Sequence, residues 1–383
     1  MELNTVKLRF NDFKDSWIKT KFQSQCLKIS SGKSKIEEYG QFPVYGSTGK
    51  LGYTNDFTHD GNYILVARVG ANAGQLNCVQ GKFGVTDNTL VIELENEDEF
   101  TFYYYLLQSI NLNKFIFGSG QPLITGGMLK SLNILQPNIR VERQKIADFL
   151  SSVDKKISLL KEKHALLTQY KKGVIRKLFT QDIRFKDDNG NAFPDWEIKP
   201  LSKLADKNSF KNKDNAVNAV LTNSAKCGIV NQGDYFNKDI ANQGNLTGYT
   251  VVEKNDFIYN PRISVLAPVG PIKRNHIGQG VMSPLYTAFR FKDGNVLDYL
   301  EQYFNTTMWH RYMHSIANFG ARHDRMNITS ADFYALPLPM PSDAEREKIV
   351  DFIKALEAKV SAVNEQIELT QTFKKGLLQQ MFL

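Results

Sequence analysis

Four short strings carry residue types that could do catalysis, and each lacks a part that the chemistry needs. An adenine methyltransferase holds a flipped base in an Asn/Asp-Pro-Pro-aromatic loop, and Asn260-Pro261-Arg262 lacks the second proline and the aromatic. Gly32-Lys33-Ser34 could end a phosphate-binding loop, but the glycine that should open it falls on Leu27, so the backbone cradle is not preorganised. Residues 194–199 read PDWEIK, with the acidic and lysine elements of a nuclease centre crowded together, whereas two-metal chemistry needs carboxylates converging from separate supports. His310 and His314 stand at i, i+4 and could share a helix face as metal ligands, with no third ligand at a recognisable spacing. The residues therefore predict neither a catalytic centre nor a metal site in this chain.

Recognition chemistry fits better. Arg and Lys can read guanine O6 and N7, and Asn or Gln can read adenine N6 and N7. In the first half the candidates are Ser47, Lys50, Arg68, Asn72 and Gln121; in the second they are Ser224, Lys226, Arg262, Arg322, His323 and Arg325. They sit in glycine-flanked turns or at positions that match between the two halves. The plainer reading of each is a phosphate contact, which positions without specifying, or no contact.

Such loops need a frame, and the frame is written twice. Residues 142–179 open with ERQKIADFL and close with YKKGVIRKLF; residues 345–382 open with EREKIVDFI and close with FKKGLLQQMF, at a constant offset of 203. Apolar residues recur every three or four positions, the signature of an amphipathic helix. One stripe is Ile146, Leu150, Val153, Ile157, Leu160, His164 and Leu167; the other is Ile349, Ile353, Leu356, Val360, Val363, Ile367 and Thr370. With no Pro or Gly before Gly173 and Gly376, each predicts a helix of about 30 residues, roughly 45 Å long. Each stripe wants a partner. His164 is a polar registry position or a partly exposed one.

The charge is unevenly spread. The net value of +8 permits a nucleic-acid partner. Residues 142–183 hold 10 basic and 5 acidic residues, whereas 1–141 hold 14 and 13, and 184–341 hold 18 and 15. The globular parts are close to balance, so a partner must supply much of any phosphate grip. Lys155, Lys156, Lys161, Lys163, Lys171 and Lys172 form a basic helix face, read most simply as a solvated one. Cys26, Cys78 and Cys227 have no CxxC spacing and fit a reducing compartment. No run approaches the ~20 apolar residues of a membrane span, and the N-terminus lacks a signal-peptide core, so a cytoplasmic location is expected.

In chain order, residues 8–130 read as α+β, with strands over Tyr63–Arg68 and Thr89–Leu94, a helix over Glu99–Leu112 and an extended approach at Leu132–Pro137. Asp-Asn-Gly and Phe-Pro within 184–196 mark a boundary, and ALPLPMPSD leads to a capping box of Ser342 and Glu345. The globular regions match weakly: Trp17 with Trp196, STGKLG at 47–52 with NSAKCG at 223–228, ILVAR ending at Arg68 with IYNPR ending at Arg262, and GVTD at 84–87 with GVMS at 280–283. Their offsets drift, whereas the helices keep theirs. The expected fold is α+β: two globular domains alternating with two long helices in a pseudo-two-fold internal repeat. Its expected parts are residues 1–137, 138–180, 181–196 (a linker), 197–340 and 341–383.

The paired ERQKIADFL/EREKIVDFI openings, the YKKG/FKKG closings, the NILQP and LPLPMP approaches and turns such as PVYGSTGKLG and FGSGQPLITG resemble the specificity subunits of type I restriction–modification systems. The resemblance covers residues 8–383. It implies two target-recognition domains, each reading half of a bipartite asymmetric site in double-stranded DNA, and helices that pack as an antiparallel coiled coil and set the spacer. It also implies a chain without catalytic activity that docks two modification subunits, which methylate adenine with S-adenosylmethionine. Restriction subunits complete such a complex with ATP and Mg, and this chain binds no cofactor itself. An assembly scaffold without readout of its own is the alternative. One departure is visible: PNIRVER before the first helix is a residue longer than PSDAER before the second.

Overall fold

The computed structural model describes residues 6–115, 122–236, 246–317 and 324–382. The two long helices run over Arg140–Phe179 and Asp343–Phe382, 40 residues each. They are a turn or more longer than the apolar pattern predicts, about 60 Å at 1.5 Å per residue. Gly173 and Gly376 lie inside them rather than ending them. No atom outside the local helix backbone would meet a Cβ at either glycine, so both sit on an open face.

The chain folds as two units, and the division runs through both helices: one unit holds residues 1–164 with 362–383, the other 165–361. In the first unit a six-stranded sheet has the order Cys26–Ser31, Thr89–Leu94, His59–Ala67, Leu76–Val85, Phe42–Gly46, Gly49–Thr54. All its pairings are antiparallel except Phe42–Gly46 with Leu76–Val85. The expected strand at Thr89–Leu94 has those bounds. The one expected at Tyr63–Arg68 starts earlier, at His59, and stops at Ala67, and the aromatic-rich helix covers Phe100–Ile110. Ile18–Lys21 pairs with Asn133–Gln136, the extended approach to the first long helix.

The core of this unit is built from both long helices. Ile146, Leu150, Val153 and Ile157 of the first pack in one cluster with Leu377, Leu378, Met381 and Phe382 of the second and with Trp17, Phe102 and Tyr103. Phe382 lies 5.7 Å from Phe102 and 6.5 Å from Trp17, ring centre to ring centre. Phe382→Ala is expected to destabilise this unit by about 3–5 kcal/mol, since it removes a buried ring from a packed core. Urea unfolding followed by Trp17 emission checks it.

The second unit has a four-stranded sheet in the order Ala205–Asn208, Thr287–Phe291, Phe257–Tyr259, Ile272–Arg274, with three two-stranded sheets around it. Glu197–Pro200 pairs with Pro337–Met340, the proline-rich approach, in the manner of the Ile18–Lys21 pairing. Here the other helix ends enter the core: Leu178 and Phe179 pack with Ile349, Val350 and Ile353, and Phe179 lies 5.5 Å from Tyr299. Of the predicted helix stripes, Leu160, His164, Leu167, Val360 and Thr370 are half-buried and the remaining members are buried.

Each helix start is fixed by a buried carboxylate. Glu142, 1% exposed, accepts from Arg9 Nε at 2.6 Å, from Arg9 Nη2 at 2.8 Å and from Trp17 Nε1 at 3.1 Å. Glu345, fully buried, accepts from Arg184 Nε at 3.1 Å, from Arg184 Nη2 at 2.8 Å and from Trp196 Nε1 at 2.9 Å. Glu345 therefore does not complete the expected capping box, and the Ser342 hydroxyl is buried without a hydrogen-bond partner. The carboxylate gains more from a bidentate guanidinium than from one backbone N–H. The extra residue before the first helix is absorbed ahead of it. Arg143 Nη1 donates to the Pro137 carbonyl at 2.7 Å and Arg346 Nη1 to that of Pro341 at 3.0 Å.

Candidate nucleic-acid interface

In the first unit one loop connects the candidate readers of two hairpins. Ser47 lies in the turn between Phe42–Gly46 and Gly49–Thr54, where Gly46 pairs with Gly49. Lys50, exposed, donates to the Tyr53 hydroxyl at 2.7 Å and lies 4.0 Å from that ring's centre. Loop 86–88 ties this hairpin to the next candidates: Thr86 N–H donates to the Tyr45 carbonyl at 3.0 Å and Arg68 N–H to that of Asn88 at 2.9 Å. Asn72 ends a short helical turn, Gly70–Asn72, just beyond. The backbone thus links the turn that holds Ser47 and Lys50 to Arg68 and Asn72 through Thr86, Asp87 and Asn88. The GVTD match pointed at that loop without marking it as a reader.

In the second unit the hairpin Leu221–Ser224/Gly228–Asn231 takes the matching place. Ser224 is buried and its Oγ accepts from the N–H groups of Lys226 and Cys227, both at 3.2 Å, so it shapes the turn while Lys226 projects from it, exposed. Asn260 ties this hairpin to Arg262. Its Nδ2 donates to the Asn223 carbonyl at 2.9 Å and its Oδ1 accepts from Arg262 N–H at 3.0 Å, which commits both ends of the amide to local backbone.

Arg262 pairs with Arg325 across an isolated antiparallel bridge. The bonds are Ile263 N–H to Asp324 O at 3.1 Å and Met326 N–H to Pro261 O at 2.9 Å. That pattern makes Arg262 and Arg325 a non-hydrogen-bonded pair, with side chains on one face at their closest approach. Two cations facing each other are destabilising unless an anion lies between or above them. The nearest carboxylate the structure gives either is Asp324, 3.6 Å from Arg325 Nε.

The first unit makes the same two-bond bridge with Val69 and Leu123, through Gly70 N–H to Pro122 O and Ile124 N–H to Arg68 O. Val69, not Arg68, therefore occupies the place of Arg262, and the sequence match of the two arginines is off by one residue. Alternation of side chains along a strand makes that slip decisive: Arg68 faces the other way, and its Nε is buried without a hydrogen-bond partner. Two units with one backbone frame thus present an apolar pair in one case and a cationic pair in the other. Gln121, Arg322 and His323 lie outside the described residues.

The other strings form no constellation of their own. Glu197 pairs with Lys199 at 2.7 Å on a single strand, an exposed pair that holds the Glu197 carboxyl below its ordinary range. Burial, and then His314, lower the pKa of His310. Among the described residues no group of three His, Cys, Asp or Glu side chains could hold a metal ion, and no helix is long and apolar enough to cross a membrane.

Residues 14–169 match the family described as type I restriction modification DNA specificity domain. Over 134 residues the chain is 28% identical to the EcoprrI specificity subunit of Escherichia coli, a match that spans 33% of each chain. The provisionally named MjaX specificity subunit of Methanocaldococcus jannaschii is 26% identical over 368 residues, 86% of this chain and 81% of the relative. The crystal structure of a type I restriction–modification S subunit from M. genitalium superposes with a TM-score of 0.56 at 17% identity, covering 99% of both chains, a likeness of fold. The match to a DNA specificity domain thus lies in the first half, and over most of its length the chain is similar to the specificity subunits of type I restriction–modification systems.

Proposed function

We propose that the chain is the DNA-reading subunit of a type I complex, in which each unit reads one half of a bipartite, asymmetric site. One observation carries this reading. The same backbone bridge and hairpin recur in both units with different side chains, Arg262 and Arg325 against Val69 and Leu123, as two readers of different half-sites require. Of the candidate readers, Lys50 and Lys226 are exposed on the two hairpins and Arg262 and Arg325 face one another on the bridge, which supports the reading. Residues 1–137 and 197–340 then act as the recognition domains, 138–180 and 341–383 as conserved helices, and 181–196 as the linker.

The helices pack antiparallel as a coiled coil and set the spacer between half-sites. Supporting this, Lys374 Nζ meets Asp154 at 2.8 Å in one unit and Lys171 Nζ meets Glu357 at 3.4 Å in the other; these are the same two positions exchanged by the offset of 203. The pseudo-two-fold repeat suits two copies of one partner, the modification subunits. Those subunits supply adenine methylation with S-adenosylmethionine, restriction subunits supply ATP- and Mg-dependent cleavage, and this chain holds no reaction centre. The work belongs in the cytoplasm, where the DNA is.

Methylome sequencing of a host carrying the chain with its modification subunit tests the reading. A new adenine mark at a bipartite asymmetric sequence is expected, and an active pair that leaves no such mark would sink it. The near balance of charge in the globular regions favours a second reading, a scaffold for modification subunits without readout. A complex that assembles but binds all DNA sequences alike would establish that one instead.

A further inference from the structure

Between Arg262 and Gly270 the second unit carries a loop three residues longer than its counterpart from Val69 to Gly74. Its tip is a two-residue turn closed on both sides: Ser264 N–H donates to Ala267 O at 3.0 Å and Ala267 N–H to Ser264 O at 3.1 Å. Below the tip, Ala267 and Val269 are buried. Gly270, at φ +77°, passes so close to Asn260 that a Cβ would meet its carbonyl oxygen at 2.0 Å. The turn is therefore held rigidly at its base.

Its two tip residues are Val265, 99% exposed, and Leu266, 70% exposed. Tips of tight turns are ordinarily Gly, Asn, Asp or Ser, which suit the backbone and keep water satisfied. Two branched apolar side chains in full solvent, on a stiff turn beside two facing arginines, call for a ligand that is anionic at its edges and apolar at one point. The major groove offers that combination: phosphates on its rims and, inside, the C5 methyl of thymine, the one apolar group on a base edge.

We infer that Val265 and Leu266 read a thymine methyl group in the half-site of the second unit, with Arg262 and Arg325 holding the adjacent strand. This rests on the DNA-reading function proposed above and adds a specificity-determining contact to it. The first unit, whose shorter loop carries Gly70, Ala71 and Asn72 at this place, makes no such contact.

The test uses the complete chain bound to its modification subunits and a duplex carrying the site read from the methylome. Each thymidine is replaced in turn by deoxyuridine, which removes only the methyl. Binding by the unaltered complex is expected to weaken about fourfold at one thymidine of one half-site, the effect of burying a single methyl group. The V265S/L266S variant, exposed at both positions and so neutral for folding, is expected to bind both duplexes alike while keeping its dependence on the other half-site. An unaltered complex indifferent to every substitution, or a variant as sensitive as the parent, overturns the inference. So does a variant that loses its modification subunits, which would make the tip a protein contact. Absence of any bipartite mark would instead remove the function beneath it, and the methylome reports that separately.

Discussion

Replacing Arg262 and Arg325 together by alanine is expected to weaken DNA binding by the assembled complex about thirtyfold or more. That size follows from about 1–3 kcal/mol for each arginine contact to a base edge. Arg262 is exposed and Arg325 is 28% exposed, so the variant's fold is checked separately by its thermal transition. If the pair grips phosphates, all sequences weaken alike and the slope of log K against log salt falls by about 0.9 for each phosphate no longer neutralised. If it reads bases, discrimination relaxes at one position of one half-site and the slope changes less. Titration of labelled duplexes at several salt concentrations separates these outcomes. The corresponding change at Val69 and Leu123, which carry no charge, should leave the slope untouched. An affinity and slope both unchanged in R262A/R325A would remove this bridge from the interface.

A large effect on stability should also come from the buried carboxylates. Glu345→Ala leaves the Arg184 guanidinium, 22% exposed, without its bidentate partner and removes the acceptor for Trp196 Nε1. Breaking a buried pair from one side costs about 3–5 kcal/mol. Donation to the Glu345 carboxylate holds the Arg184 pKa above its ordinary value. Glu142→Ala should do the same to Arg9 and Trp17. The chain has two units, so a single two-state transition is not the right measure. Differential scanning calorimetry is expected to show E345A lowering the transition of the second unit and E142A that of the first. Glu→Gln, which keeps an acceptor for the indole, should cost less than Glu→Ala at either position. Equal melting of E345A and the parent would mean that the carboxylate does not hold the junction.

Much of the frame was legible from residue types alone. The helices followed from apolar spacing, and the stripe residues are buried or half-buried throughout. Their length was underestimated because Gly173 and Gly376 read as stops, although an exposed glycine costs a helix only about 1 kcal/mol. The turn strings at 47–52 and 223–228 fall on matching hairpins, since turns too are chosen by local residue chemistry. The expected capping box failed for the opposite reason. Ser342 and Glu345 have the right local spacing, but Arg184, 161 residues away in sequence, competes for the carboxylate and wins.

Residue order by itself determined the two helices, their offset of 203, the alternation of long helix with globular region and the family resemblance. All of these rest on patterns within a few residues or on the repetition of such patterns. Only the tertiary structure decided which side chains meet across the chain: Arg9 with Glu142, the C-terminal Phe382 with Trp17, and Arg262 with Arg325 rather than with any counterpart of Arg68. In a strand, a shift of one residue sends a side chain to the opposite face, and no local signal records on which residue a distant bridge will close. Helix periodicity tolerates such a slip. The pairing of a β-bridge does not, so the candidate pair Arg262 and Arg325 came from the fold and its supports from the sequence.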